Sequence, residues 1–292
     1  AARRREGDRE LTTSAFEGVL RDRKAIGTAG VGVSGGEPML RDDTLHLLAY
    51  GTRLGLHMHL NTDGFRVAVA AAAILRTGVR SVNVSLDGPT ADVHDAARGR
   101  RGSHRTVLEA LGALRRARRA RRHPSLTAVT VLTARNLGRV AEVAHVALAA
   151  GADRLGVIPV HDFGQGEDAA DPADLEAANA ALRELHRRGR LDNSLAYVDL
   201  LPAALGGAPS PLQCYAPWTS VVVDCYGDVY PCFPLMERHE PVGRLPLVPL
   251  WRSASYARRR RELATCRACL WNCHAEMNLA LPQGRRAARS AG

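Results

Sequence analysis

Apolar and polar positions follow two rhythms between residues 11 and 160. Short apolar runs at Val31–Ser34, His57–Asn61, Val79–Leu86, Leu126–Thr133 and Leu155–Val160 have strand length. Longer segments with helical spacing separate them. Ser14 and Glu17 offer a capping box for a helix to about Lys24. Asp42 or Asp43 caps a helix ending near Gly55, Phe65–Thr77 is an Ala-rich helix closed by Gly78, and Ser103–Arg119 is helical. Asn136 is expected to cap a helix with Val140, Val143, Ala144, Ala147 and Leu148 on one face, ended by Gly151. This alternation predicts right-handed βα units on a parallel sheet. Five strands fall short of the eight of a closed barrel, so the sheet is doubly wound or a partial barrel. Both architectures build their sites from loops after strand C-terminal ends.

The character changes after residue 160. Residues 161–171 form a polar loop, Ala173–Arg188 a helix, and Leu201–Pro211, with three Pro and two Gly, a linker. Thr219–Val223 and Asp228–Tyr230 flank Cys-Tyr-Gly and predict a β-hairpin with Gly227 at its turn. Residues 251–263 are helical, and 282–292 read as a frayed tail.

Composition narrows the class. At 292 residues there is room for one large domain or a domain and a half. Hydrophobic residues at 46% and charged residues at 24% exclude a disordered or collagen-like chain, and 4% aromatics demand an aliphatic core. No apolar run is long enough to span a bilayer and no signal-peptide pattern opens the chain. A cytoplasmic protein without a membrane partner is therefore expected. The net charge of +10 comes from Arg, since Lys24 is the only Lys. The runs Arg115–Arg122 and Arg258–Arg261 have few aromatic neighbours, so they read as solvated helix faces and nucleic acid is disfavoured as a partner.

The six Cys all lie late, at 214, 225, 232, 266, 269 and 273. Without a secretion signal, thiols this crowded point to a metal or cluster rather than to disulfides. Cys266-x2-Cys269 with two further Cys also fits tetrahedral zinc. In the first half, Ser34-Gly-Gly-Glu-Pro38 ends the first strand, where two Gly let a backbone approach a ligand. Asn83-Val-Ser-Leu-Asp-Gly-Pro89 ends the third and puts a hydroxyl and a carboxylate at the same rim. Taken singly, each piece is better explained as turn and cap chemistry.

Taken in order, the pieces resemble the radical S-adenosylmethionine (radical SAM) superfamily over about residues 11–160. GGEP at 35–38 looks like its methionine-binding motif, and NTDG at 61–64 like the end of a further strand. SLDGP at 85–89, HDAARG at 94–99 and GSH at 102–104 look like its peptide-modifying branch. Separately, DCYGDVYPC at 224–232 followed by Cys266, Cys269 and Cys273 resembles the SPASM/twitch auxiliary-cluster domain. The resemblance implies an α/β fold, a partial (β/α)6-type TIM barrel lacking its first strand, plus a small C-terminal α+β auxiliary-cluster domain. The expected division is 1–200 for the barrel, 201–281 for the auxiliary domain and 282–292 for the tail.

The same resemblance implies the chemistry. A reduced cluster cleaves SAM, and the 5′-deoxyadenosyl radical takes a hydrogen from a substrate in the barrel mouth. Gly35, Gly36 and Glu37 would hold the methionine ammonium, Ser85 and Arg98 would lie near ribose and carboxylate, and Asp87 would touch ligand or substrate. One auxiliary [4Fe–4S] cluster is expected. A twitch-like site uses Cys214, Cys232, Cys266 and Cys269, and a SPASM-like site takes Cys273. Cys225 would be a packed thiol or a hydrogen donor. The expected partners are a peptide or small-molecule substrate and a reductase or flavodoxin-type electron donor, and the substrate loop is placed at His161–Asp168. No catalytic residue is assigned. The family's CxxxCxxC, which holds the SAM-cleaving cluster, is absent, because the first Cys is Cys214. The reading is a truncated form of an active enzyme, inactive as it stands. Its rival is an inactive iron–sulfur or zinc-binding partner protein.

Overall fold

The computed structural model describes residues 9–118, 123–161 and 171–281. The expected substrate loop after His161, the second half of the Arg115–Arg122 run and the 282–292 tail lie outside them. The first half runs α1 (Thr13–Ala25), β1 (Gly30–Val33), α2 (Thr44–Arg53), β2 (His57–Thr62), α3 (Val67–Arg76), β3 (Ser81–Ser85), α4 (Ala91–Arg98), α5 (Ser103–Arg118), β4 (Ser125–Leu132), α6 (Val140–Ala150), β5 (Arg154–Pro159) and α7 (Pro172–Arg187). The five strands pair in parallel in the order β1-β2-β3-β4-β5. A doubly wound sheet reverses its strand order at a switch point. This one never does, so the winding is that of a barrel segment.

Alternation gives the sheet two different faces. Met58, Leu60, Val82, Val84, Leu126, Ala128, Leu155 and Val157 are buried in one core with Leu47, Ile74, Val107, Leu111, Leu114, Val143 and Ala147 of the helices. The other face carries Gly30, Gly32, His59, Asn61, Asn83 and Ser85, all half-buried or exposed. There Asn83 Nδ2 donates to Asn61 Oδ1 at 2.7 Å, and His59 Nδ1 lies 2.7 Å from Ser81 Oγ. A polar face opposite the helices is what the interior of a barrel segment requires. The outer edge of β5 is partly covered. Leu155 bridges Leu191 in parallel, and Asn193 uses its amide to bond both the N–H and the C=O of Val157, at 2.7 and 3.1 Å.

The second half runs α8 (Leu195–Val198), α9 (Leu201–Leu205), α10 (Ala216–Thr219), β6 (Val222–Val223), β7 (Asp228–Tyr230), α11 (Phe233–Glu237), β8 (Gly243–Arg244), α12 (Leu247–Trp251), α13 (Ala254–Glu262) and α14 (Asn272–Ala280). The hairpin β6–β7 forms with Gly227 at φ +90°, and β8 adds an antiparallel third strand. Val221, Val229, Leu247 and Tyr256 make a small core against which Ile26, just past α1, also packs. The two halves are joined through α1: Arg23 Nη2 donates to Val221 O at 2.9 Å, and Asp22 Oδ2 accepts from Leu247 N–H at 3.1 Å.

Several local expectations need correction. Thr12, not Ser14, caps α1, accepting from Ala15 N–H at 3.3 Å, and Glu17 instead meets His46 Nε2 at 2.7 Å. Asn136 stands at the N-cap position of a 3-10 turn (Leu137–Arg139) leading into α6, but its side chain caps neither. Buried beside Asp87, it accepts from Thr133 N–H and donates to the carbonyls of Asp87 and Val131. The Pro- and Gly-rich stretch from 201 opens with α9, because Leu200 and Leu201 are buried and hold it down.

Candidate functional site: a polar strand-end rim and a thiol-lined pocket

The parallel register brings the ends of β1, β2 and β3 to one rim. Ser34, Gly35 and Gly36 are exposed there, Gly35 at φ +145°, and no atom lies within 4 Å of where a Cβ would stand on either glycine. Glu37 turns inward. Its carboxylate accepts from Met39 N–H at 2.8 Å, from Thr62 Oγ1 at 2.9 Å and from Asp63 N–H at 2.6 Å. The structure thus joins GGEP to NTDG through one side chain. A carboxylate offers about four acceptor positions, so these three donors leave room for one more, the need of a ligand ammonium.

Burial pushes Glu37 from 4.5 up to about 7, against the pull of its amide and hydroxyl donors. A carboxyl raised on folding contributes stability below its unfolded pKa and loses it as pH rises through its folded one. Wild type is therefore expected to lose stability relative to Glu37→Gln as pH climbs from about 4.5 to 7. Paired thermal melts at half-unit steps check this. A constant difference across the range would show that Glu37 titrates normally.

Ser85 ends β3 on the open face. Asp87 and Arg98 do not stand free at the rim. Arg98 Nη2 is 2.7 Å from Asp87 Oδ2, the Asp87 side chain is only 8% exposed, and Asp87 Oδ1 also accepts from Val131 N–H at 2.8 Å. Burial raises the Asp87 pKa in spite of this partner. Asp87 thus ties β4 to the β3 rim and to α4, and buried His94 fixes the same loop by accepting from Asp87 N–H at 3.0 Å. The HDAARG segment forms the end of α4, and Asp95 within it caps α5. It accepts from His104 N–H, Gly102 N–H and Ser103 Oγ, which hold its carboxyl down to about 2.

The thiols gather in the second half. Cys214 precedes α10, Cys232 caps α11, and Cys266 and Cys269 lie between α13 and α14. Burial first, and the neighbouring thiols after it, push Cys232 up to about 12 and Cys214 up to about 11. Cys232 feels Cys269, Cys214 and Cys266, while Cys214 feels Cys266 and Cys269. Cys273 faces Cys269 alone, and Cys225 sits at the hairpin turn beside Glu10 and Asp224. A pocket here is lined by Cys214, Cys266, Cys269, Trp271, His274 and Asn278, among others. Among the described residues no three His, Cys, Asp or Glu side chains gather as a single metal ion requires. The four thiols expected to hold one cluster are thus not drawn together at single-ion spacing. One zinc draws its sulfurs to about 2.3 Å from a common point, whereas a four-iron cube stands between its ligands. Cys214, Cys266 and Cys269 line the pocket and Cys232 lies within electrostatic reach of all three, a soft four-thiol set of the kind that holds a cube.

His274 was missed in the sequence. It is 6% exposed and lines this pocket, with Nδ1 3.3 Å from Ser220 Oγ and no hydrogen-bond partner at Nε2. His161, at the end of β5, accepts from Leu270 N–H at 3.2 Å, and its ring lies 5.2 Å from that of Trp271. The barrel rim and the thiol loop are therefore in direct contact.

Fold and site together define a partial-barrel protein with a cluster-type thiol set beside the barrel mouth. Residues 1–147 match the radical SAM superfamily and residues 214–274 an iron–sulfur cluster-binding domain. The chain belongs to the radical SAM superfamily, whose members use SAM and iron–sulfur clusters. It is 30% identical to the mycofactocin maturase MftC of Mycobacterium ulcerans, over 89% of this chain and 71% of that protein. It is 35% identical to the AdoMet-dependent heme synthase of Methanosarcina barkeri, over only 35% of this chain and 30% of the relative's length. The fold is shared with Streptococcus suis SuiB in its crystal structure bound to the precursor peptide SuiA, with a TM-score of 0.65, 17% identity and coverage of 89% of this chain and 62% of that one. No helix among the described residues is long and apolar enough to cross a membrane.

Proposed function

We propose that this chain is the SAM-binding and auxiliary-cluster portion of a radical SAM enzyme that modifies a peptide or protein side chain. The carrying observation is the pairing of an open Gly35–Gly36 rim with a thiol pocket joined to the same rim through His161 and Leu270. The peptide assignment draws support from the maturase relative and from SuiB, whose structure holds a precursor peptide. SAM beside a reduced cluster supplies a radical able to abstract hydrogen. Gly35, Gly36 and Glu37 hold the methionine end, and Ser85 faces the ribose. Asp87 and Arg98 act through each other, fixing the β3 rim. Cys214, Cys232, Cys266 and Cys269 hold one auxiliary [4Fe–4S] cluster, with residues 201–281 as its domain. A flavodoxin-type reductase is the electron donor, in the cytoplasm.

The test is 5′-deoxyadenosine formation after dithionite reduction. The 292-residue chain is expected to form none, because all of its Cys lie at or after position 214 and four of them close the auxiliary site. A chain carrying CxxxCxxC ahead of Ala1 is expected to form it. Turnover by the shorter chain would contradict the assignment of roles. An inactive longer chain with both clusters verified would favour a partner protein without catalysis.

A further inference from the structure

His274 has no role in the ligand set above, yet its surroundings are specific. Its side chain is buried, its Nε2 has no hydrogen-bond partner among the described residues, and it lines the same pocket as Cys214, Cys266 and Cys269. A buried ring nitrogen left unpaired costs about 1–3 kcal/mol, so a group this well enclosed calls for a partner.

Its other nitrogen meets a hydroxyl that serves either tautomer. Ser220 Oγ lies 3.3 Å from Nδ1 and 3.0 Å from Ala216 O. The hydroxyl donates to that carbonyl, which also accepts Ser220 N–H at 2.9 Å, so Ser220 can accept from Nδ1 as it stands or turn its proton to Nδ1. With Nδ1 accepting, the ring proton sits on Nε2, the buried nitrogen left without a partner. A loaded pocket holds thiolate and sulfide, which are anionic and accept hydrogen bonds. A lone pair facing them is repelled, whereas an N–H is attracted, so loading selects the Nε2–H form.

We propose that His274 donates a hydrogen bond from Nε2 to the sulfur of the auxiliary cluster and so raises that cluster's reduction potential. The proposal rests on the cluster reading given above. One-electron reduction adds negative charge to the cluster, and a fixed donor stabilises the reduced state more than the oxidised one. His274 is a positioning residue of the redox centre and binds no iron. The sequence gives no sign of it, because the His directly after Cys273 belongs to no ligand spacing.

The experiment uses the full chain, reconstituted anaerobically with iron and sulfide, in wild-type form and as His274→Leu and His274→Gln. Iron and sulfide analysis of wild type comes first. Failure to bind about four of each overturns the cluster reading itself. Given a loaded cluster, potentiometric titration followed by electron paramagnetic resonance is expected to show His274→Leu harder to reduce. At a fixed poise its oxidised-to-reduced ratio should rise about tenfold, or about 59 mV for one electron. His274→Gln, which restores an N–H at similar reach, should return most of the shift. An unchanged potential in His274→Leu would overturn the donor role. So would loss of iron from both variants, or a directly bound nitrogen in the wild-type spectrum, since either would make His274 a ligand or a packing residue.

Discussion

Cys232→Ala is expected to empty the auxiliary site of iron, while Cys273→Ala and Cys225→Ala leave it filled. The sequence offers five Cys for four places, and spacing alone cannot choose among them. Mutual approach does. Cys232 is influenced by Cys214, Cys266 and Cys269 together, whereas Cys273 faces only Cys269 and Cys225 faces none of these thiols. A cube closed by four thiolates loses a corner when one is removed, and the open iron is then exposed to solvent and oxidation. Holding the thiols as thiolates also costs protons in a site that pushes Cys232 up to about 12, so binding is cooperative and a missing member is expensive. Iron per chain after reconstitution is the measurement: about four in wild type, Cys225→Ala and Cys273→Ala, and near zero in Cys232→Ala. The reverse pattern would assign the fourth position to Cys273.

The largest expected loss of stability comes far from the chemistry. Arg118, at the end of α5, is 6% exposed and meets Asp153 with both terminal nitrogens; Nη2 lies 2.7 Å from Oδ1, and Nη1 also donates to Pro124 O at 2.9 Å. Asp153 in turn accepts from Leu126 N–H at 2.9 Å, so one ion pair fastens α5, the start of β4 and the turn before β5. Removing one partner of such a pair strands the other charge. Arg118→Met should cost about 3–5 kcal/mol in urea unfolding. Arg118→Met combined with Asp153→Asn should cost less than the sum of the two single changes. The pH dependence has a definite sign. Burial raises Asp153, but Arg118 outweighs it and the carboxyl lies below its usual value. The pair's contribution is therefore present above the unfolded pKa and fades as pH falls through the folded one. Arg118→Met should lose this acid-side sensitivity.

The parallel sheet was legible because its strands are buried on one face by Val, Leu and Ala at period two and are separated by helices with Gly stops such as Gly78 and Gly151. Residue order also brought GGEP, NTDG and SLDGP to one rim. What could not be read was the direction of side chains that bond to backbone. Glu37 looks in sequence like a free carboxylate, yet in the fold it anchors Thr62 and Asp63. Asp87 and Arg98 are eleven residues apart and read as two separate contacts, but α4 turns them toward each other. Asn136 has the identity of a helix cap and serves instead as a strut between β4 and Asp87. His274 was hidden for the opposite reason: its meaning comes from a pocket assembled by segments 60 residues apart in sequence, Cys214 to His274. In the second half, elements of two to five residues such as β8 and α11 carry too little periodicity to announce themselves.

The junction at α1 has a consequence for modularity. The small core of the second half is completed by Ile26, and its backbone is held by Asp22 and Arg23, all from the first half. The cluster domain is therefore not a cassette. Excised at residue 201, it would leave Leu247 N–H and Val221 O without these partners and uncover the apolar surface that Ile26 protects. Transplanted onto another barrel, it would need a recipient helix with an acid and an arginine side by side at the matching turn. Exchange of auxiliary domains between such enzymes is thus restricted to hosts whose first helix already fits, so helix and domain must change together.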